Sequence, residues 1–414
     1  MEQMEQNNQR NAYWSGLLSG LLLAILLIGS IVVGKQVFRI FEAKKITENA
    51  QSQGAELLND YTEAKVGVIE DTISQYYLEE VDRSELEHGI YTGLVNALED
   101  PYSVYYSAEE LKELQMSTEG IYYGIGAYLS KAATDDYCVI SGTIENTPAE
   151  EAGLRADDII YKVDGVDVGG MDITEVVAMI KGEEGTKVVL TLVREGESDY
   201  LEIPVERRKI ESPTVSMEMM ENGIGYIEIT EFDDVTEDQF AESLAECRAK
   251  GMKALILDLR SNPGGNLSTV CEISRMLLPK GMIVYTEDKY GKRDEYTCDG
   301  LRRLEVPAVV LVNGYSASAS EILAGAMKDH GMATIMGTTT FGKGIVQRVI
   351  SLSDGSAVKL TVSKYYTPNG NDIHEKGIEP DVVVEFDADV YYNEGIDNQL
   401  QEAIKYLTAI QSAE

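Results

Sequence analysis

Ala308-Val-Val-Leu-Val-Asn-Gly-Tyr-Ser-Ala-Ser-Ala-Ser-Glu-Ile-Leu-Ala-Gly-Ala-Met-Lys328 is the stretch on which the fold turns. Its first five residues are apolar and valine-rich, so they read as a buried strand. Pro307 stands at the entry, where a missing N–H is tolerated. From Ile322 to Lys328 the apolar residues recur at helical spacing. A strand that breaks into a helix through small residues puts a hydroxyl at the helix N-terminus. There, unpaired N–H groups and the helix dipole favour developing negative charge. A plainer reading also fits, because Ser318-Ala-Ser-Glu321 is a Ser-x-x-Glu capping box and the serines could be loop and cap alone.

A second run, Phe341-Gly-Lys-Gly-Ile-Val-Gln347, lies just downstream. A serine nucleophile needs a base, and the histidines are poorly placed for it. His330 falls at the far end of the helix that Ser318 would open, and His374 sits in a polar Gly-Asn-Asp turn. Gly314-Tyr-Ser-Ala-Ser318 also lacks the second glycine of a Gly-x-Ser-x-Gly elbow. Lys343 is the remaining candidate. It can act only when neutral, so its pKa must fall from about 10.4 to about 7–8, roughly 4 kcal/mol. Burial can supply a shift of that size. Lys343 stands between Phe341 and Ile345-Val346, and Gly342 and Gly344 permit close backbone approach. The alternative is an ordinary surface lysine in a glycine turn. Gly337-Thr-Thr-Thr-Phe-Gly-Lys343 also resembles a phosphate loop, but Gly344 replaces the magnesium-binding Ser/Thr and a strand, not a helix, follows.

Working outward, 414 residues imply two or three domains. A net charge of −36 and a pI near 4.4 argue against nucleic acid as a partner. The four cysteines (Cys138, Cys247, Cys271, Cys298) form no Cys-x-x-Cys pair, and three scattered histidines make no metal cluster. No cofactor or metal is expected. Between Arg10 and Lys35 no residue is charged; about 24 residues at about 1.5 Å each span roughly 36 Å, enough for a hydrocarbon core. Tyr13 and Trp14 suit an interfacial anchor, and no small-x-small cleavage site follows. A retained single-pass anchor is expected. Lys35, Arg39, Lys44 and Lys45 after the span outnumber Arg10 before it, which would leave the large domain in the cytoplasm by charge counting alone.

Residues 55–98 carry apolar positions at three-and-four spacing and read as two or three helices. Ser107-Ala-Glu-Glu110 opens another. Between Glu119 and Arg208 the pattern changes to short strands (Tyr137 to Ile144, Ile159 to Val163, Lys187 to Val193, Tyr200 to Val205) and one helix, Ile173 to Ile180. Tyr123-Gly-Ile-Gly126, Pro148-Ala-Glu-Glu-Ala-Gly-Leu154 and Val163-Asp-Gly165 resemble a PDZ domain. The resemblance implies a backbone nest at Tyr123, Gly124, Ile125 and Gly126 that takes a peptide's terminal carboxylate. Lys181 and Arg194 are candidates to sense the occupied groove. From Ile210 onward the chain reads as α/β, ending in an amphipathic helix from Leu400 to Ile410.

The serine and lysine runs, with Asp258-Leu-Arg-Ser-Asn-Pro-Gly-Gly265, Ala97-Leu-Glu-Asp-Pro-Tyr-Ser103 and Gly377-Ile-Glu-Pro-Asp381, resemble the C-terminal processing peptidases, or tail-specific proteases. That resemblance implies a multidomain α+β and α/β chain with a protease core of the ClpP/crotonase-like type. It implies Ser318 as nucleophile, Lys343 as base, Gln347 orienting the lysine, and an oxyanion hole from Ala319 with Gly264 or Gly265. It also implies substrates with free C-termini, an extracytoplasmic catalytic domain and a homodimer. The expected layout is a tail (1–12), an anchor (13–34), a helical region (35–115), a PDZ domain (116–208), a peptidase domain (209–390) and a C-terminal helix (391–414). The competing class is a catalytically inactive, membrane-tethered PDZ scaffold.

Overall fold

The computed structural model describes residues 57–131 and 136–412. The expected tail, the anchor at 13–34 and the linker as far as residue 56 lie outside the described residues. Among the described residues no helix is long and apolar enough to cross a membrane. The chain divides into two compact units, one to Ile90 and one from Tyr91.

The first unit holds the helix Asp60–Tyr76 and the start of the helix Arg83–Asn96. Asn59 caps the former by accepting from the Tyr61 and Thr62 N–H groups, both at 3.1 Å. The spacing seen in the sequence puts Val66, Ile69, Ile73, Leu86 and Ile90 along one apolar groove.

The second unit is built on two sheets and a PDZ domain. A six-stranded sheet runs in the order Val215–Met219, Ile224–Ile229, Ala254–Asp258, Ala308–Val312, Thr334–Gly337, Val382–Val383. Only its first pair is antiparallel. A strand covered on both faces must be apolar throughout, and Ala308–Val312 is buried at every position. Its side chains alternate: Val310 and Val312 face the main core with Phe240 and Leu323, whereas Val309 and Leu311 face Ala403 and Leu407 of the C-terminal helix Asn398–Gln411. The helices Thr236–Ala249, Leu267–Arg275 and Ala319–Asp329 cover the first face.

The second sheet is antiparallel. Val104–Tyr106, Gly281–Asp288 and Ile345–Ser351 all pair with the long strand Ala357–Tyr366, and Arg293–Cys298 extends it. Residues 104–106, within the stretch read as helical, thus form a strand of the peptidase sheet. Ser107 then opens the helix Ala108–Glu119 with both capping-box bonds present, Glu110 N–H to Ser107 Oγ at 3.2 Å and Ser107 N–H to Glu110 at 2.7 Å.

The PDZ domain enters and leaves through one ribbon, Ile121–Gly124 paired with Arg208–Glu211. Its sheet is Ala127–Lys131, Cys138–Thr143, Ile159–Val163, Lys187–Val193 and Leu201–Glu206 in that order. The helix Ile173–Ile180 is capped by Asp172 and packs Val176 and Ile180 inward.

Candidate active site

Four chain segments leave the carboxyl ends of the parallel strands on the same side, where open α/β sheets place their sites. They are Thr230–Asp234, Leu259–Asn266, Asn313–Ser318 and Thr338–Lys343. The last three, together with the helix Ala108–Glu119 and the strands Ile345–Ser351 and Ala357–Tyr366, wall a pocket of about 350 Å³. Ser318, Ala319, Lys343, Gln347 and Gly265 all line it.

The three serines separate into two kinds. Ser316 Oγ donates to the Leu259 carbonyl at 2.7 Å and accepts from Asn313 N–H at 2.9 Å. Ser320 Oγ donates to the Asn262 carbonyl at 3.0 Å. Both are fully buried and hold the loop against its neighbour. Ser318 is partly exposed to the pocket and has φ 55° and ψ −110°, a conformation that a serine rarely adopts. Three groups hold it there. Ser318 N–H donates to Glu321 at 2.8 Å, Glu321 N–H donates to the Ser318 carbonyl at 2.9 Å, and Tyr365 OH donates to that same carbonyl at 3.0 Å.

Glu321 was legible only as a cap, yet it does more. Its carboxylate is 0% exposed and accepts from Thr340 Oγ1 at 2.6 Å, Gly342 N–H at 2.7 Å and Lys343 N–H at 2.9 Å. One buried acid thus fastens the serine turn to the lysine turn. Gly342 and Gly344 permit this as expected: a Cβ on Gly342 would lie 2.9 Å from Lys376 N, and one on Gly344 2.6 Å from His374 N.

Lys343 is partly buried. Desolvation pushes its pKa below the ordinary lysine value, and the nearby Lys359 adds to this, while Glu321 and Asp100 oppose it. Its Nζ lies 4.7 Å from the centre of the Tyr102 ring. Among the described residues no hydrogen bond joins Lys343 to Ser318. Tyr102 belongs to the Ala97–Ser103 run, whose Asp100 accepts from Ser103 Oγ at 2.6 Å, and Ser103 Oγ in turn accepts from Thr361 N–H. Gln347 lines the pocket, but its amide donates to Thr361 Oγ1 at 3.2 Å and not to Lys343.

The expected oxyanion donors are also placed. Gly264 N–H is spent on Asn262 Oδ1 at 2.8 Å. Asn262, fully buried, also donates to the Ile229 carbonyl and accepts Ala317 N–H at 3.0 Å on its own carbonyl. The turn needs its glycines: Gly264 has φ 110° and Gly265 φ 144°, and a Cβ on Gly265 would lie 2.3 Å from the Phe232 carbonyl oxygen. Asp258, which begins this segment, pairs with Arg260, and Arg260 reaches Asp397 at the start of the C-terminal helix at 2.7 Å.

Neither His330 nor His374 lines the pocket. His330 Nε2 bonds the Met282 carbonyl at 2.7 Å, and His374 packs its backbone on Gly344. In the PDZ domain, Tyr122, Gly124, Ile125, Gly126, Ile173 and Val177 line a groove between the loop at 124–126 and the helix Ile173–Ile180. Lys181 lines that groove beside the Tyr122 ring. Arg194 does not: it is engaged bidentately by buried Asp158, at 2.6 and 2.7 Å, and by the Gly153 carbonyl. It is a structural cation of the domain.

Three family profiles match in series: the activating protease CtpB N-terminal domain at residues 27–110, a PDZ domain at 139–194 and peptidase family S41 at 223–384. The carboxy-terminal processing protease CtpA of Bacillus subtilis is 38% identical over 335 residues, covering 78% of this chain and 71% of that one. The carboxyl-terminal-processing protease of Synechocystis is 37% identical over 70% of this chain and 69% of its own. Among solved structures, a Bacteroides fragilis protein named as an S41 protease superposes with a TM-score of 0.53. It covers 86% of this chain and 100% of its own at 18% identity, a likeness of fold. With a PDZ domain in series and a serine turn facing a lysine turn across one pocket, the chain belongs to peptidase family S41, among the carboxy-terminal processing serine proteases.

Proposed function

We propose that this peptidase cuts with Ser318 as nucleophile and Lys343 as general base, in a membrane-anchored chain that reads substrate C-termini through its PDZ domain. One observation carries the reading: a lysine whose pKa is pushed down by burial opens on the same pocket as a serine held at a strained helix entry. In the acylation step Ser318 Oγ bonds to the scissile carbonyl carbon while its proton passes to neutral Lys343 Nζ. The carbonyl electron pair moves onto oxygen, which the Ala319 and Gly265 N–H groups receive. Gly265 is the better of the two glycines, because Gly264 N–H is already bonded to Asn262. When the intermediate collapses, the C–N bond breaks and the leaving amine takes the proton from Lys343. Water then attacks the ester carbonyl while giving a proton to the neutral Lys343 Nζ; the C–Oγ bond breaks, and Ser318 Oγ takes that proton back as the acid product leaves.

Nζ rests on Tyr102, so the arrangement described is the waiting state of the site. Alignment needs Nζ to leave the ring, and Gln347 then exchanges Thr361 for the lysine. The tail of the substrate adds to the PDZ groove, its carboxylate meeting the N–H groups of Ile125 and Gly126 beside Gly124. The 24 uncharged residues from Asn11 to Gly34 support a single-pass anchor. We place the catalytic part outside the cytoplasm, since long domains translocate largely regardless of flanking charge. Exposed Leu57, Leu58 and Ile69 in the first unit support a homodimer.

Ser318→Ala is expected to lower cleavage of an unfolded reporter by about 10⁴-fold or more while tail binding persists, and Lys343→Ala nearly as much. Turnover retained by Ser318→Ala would overturn the assignment. Amidating the reporter's C-terminus is expected to weaken binding by at least about tenfold. Equal binding of both forms would remove the PDZ domain from tail recognition.

A further inference from the structure

A second cleft lies beside the PDZ groove and shares Tyr122, Val177 and Lys181 with it. Its walls are the outer side of the PDZ helix Ile173–Ile180, the helix Ala108–Glu119 and the turn Glu231–Asp233, and its volume is about 720 Å³. The turn is no remote surface. Phe232 bonds Gly264 and Asn266 through its backbone, so the cleft ends one residue from the glycine turn that faces Ser318.

Asp233 is the feature that needs a partner. It is 8% exposed and lines the cleft. Its N–H is satisfied by Thr236 Oγ1 at 2.9 Å, but among the described residues its carboxylate has neither a hydrogen bond nor an ion pair. The residue is largely desolvated while its side chain faces the cleft, so a cation arriving there would meet a carboxylate with little competing solvent. Glu231, Glu109 and Glu113 share the cleft, against Lys112 and Lys181, so the local field favours a cation. A metal ion does not suit it, because among the described residues no three acidic, histidine or cysteine side chains converge. A single ammonium or guanidinium on a flexible stem, arriving on a polypeptide already held in the adjoining groove, does suit it.

We propose that this cleft is a subsite for one basic side chain of the substrate polypeptide, with Asp233 as its acceptor. This rests on the reading that the PDZ groove holds the substrate tail. Desolvation, together with Glu231 and Asp234, pushes Asp233 up to about 7. The groups facing it from other elements are Glu109, Lys112 and Glu113 on one helix, Lys181 beside the PDZ helix and Tyr122 on the ribbon. A bound cation holds the carboxylate ionised. The preference for a basic residue is therefore full above about pH 7 and fades below it.

The test uses the full-length Ser318→Ala protein in detergent and fluorescent twelve-residue peptides of neutral sequence with a free C-terminus. A single lysine is moved through the peptide one position at a time, and Kd is read by anisotropy. One or two adjacent positions are expected to bind about tenfold more tightly than the lysine-free peptide, as one charge-assisted contact predicts. Norleucine there is expected to give no gain. Asp233→Asn, which keeps shape and removes charge, is expected to reduce the preference to less than about twofold. In the parent protein the preference is expected to grow from pH 6 to pH 8. Equal Kd at every lysine position, or a preference unchanged in Asp233→Asn, overturns the subsite. Binding does not depend on cleavage, and amidated versions of the same peptides report separately on tail recognition, so each reading fails by its own measurement.

Discussion

The serine turn and the lysine turn meet at one pocket and are held in opposite ways. Around Ser318 nearly every polar neighbour is committed: Ser316 to Leu259, Ser320 to Asn262, Tyr365 to the Ser318 carbonyl. Around Lys343 the backbone is tied as firmly, with two N–H groups on Glu321 and two glycines pressed against residues 374–377. The lysine side chain, however, rests on an aromatic ring and makes no hydrogen bond to the serine. In the proposed mechanism the backbone frame is already tied, and what would remain is a side-chain rotation, far faster than refolding a loop. That contrast makes Glu321, the post common to both turns, the most sensitive point of the site.

Glu321→Ala should do the most damage short of removing the serine or the lysine. It would release four donors at once, so kcat is expected to fall about 10²–10³-fold through misplacement alone. Unfolding free energy is expected to fall by about 3–5 kcal/mol, because the donors stay buried without an acceptor. Stopped-time cleavage and urea unfolding measure the two. Near-normal turnover would show that each turn holds its own alignment and would break the comparison. Ser320→Ala sharpens it from the other side. Its hydroxyl only braces the loop, so stability should fall by about 1–2 kcal/mol while kcat stays within about tenfold. A loss as deep as that of Ser318→Ala would mean that the wrong serine has been called the nucleophile.

How much of this was legible depends on whether the signal was local. Ile159–Val163, Lys187–Val193 and Ile173–Ile180 fall where the sequence reading put them, since neighbours in sequence decide them. The buried strand Ala308–Val312 was equally plain. The strands Gly281–Asp288 and Thr334–Gly337 and the helix Leu267–Arg275 went unread. The first owes its place to pairing with Ala357–Tyr366, about 80 residues on. Family resemblance named residues that the structure brings to one pocket, but the device that joins their turns was not legible. Ser-x-x-Glu announces a cap, and nothing local says that the same carboxylate reaches Lys343 N–H. Gln347 shows the limit of counting along a strand. A register shift between Val346 and Gln347 breaks the two-residue alternation there, and the amide lies against Thr361.

The smallest effect tests the resting place of the lysine. The Tyr102 ring favours the ammonium form of Lys343, whereas burial favours the neutral one. Replacing the ring with Tyr102→Leu removes the first influence and keeps the second. The lysine pKa should fall further, and the rising limb of kcat/KM against pH should move down by about 0.4–0.7 unit. Tyr102→Phe, which keeps the ring face, should leave the limb in place. The sign also holds for stability. Because folding lowers the lysine pKa, the unfolded chain binds more protons between the folded value and the ordinary one near 10.4, so stability rises with pH across that window. Lys343→Met should remove that slope, as urea titrations at several pH values would register. A limb that stays put in Tyr102→Leu would mean that the ring does not bear on the proton, and that the waiting state is set by burial alone.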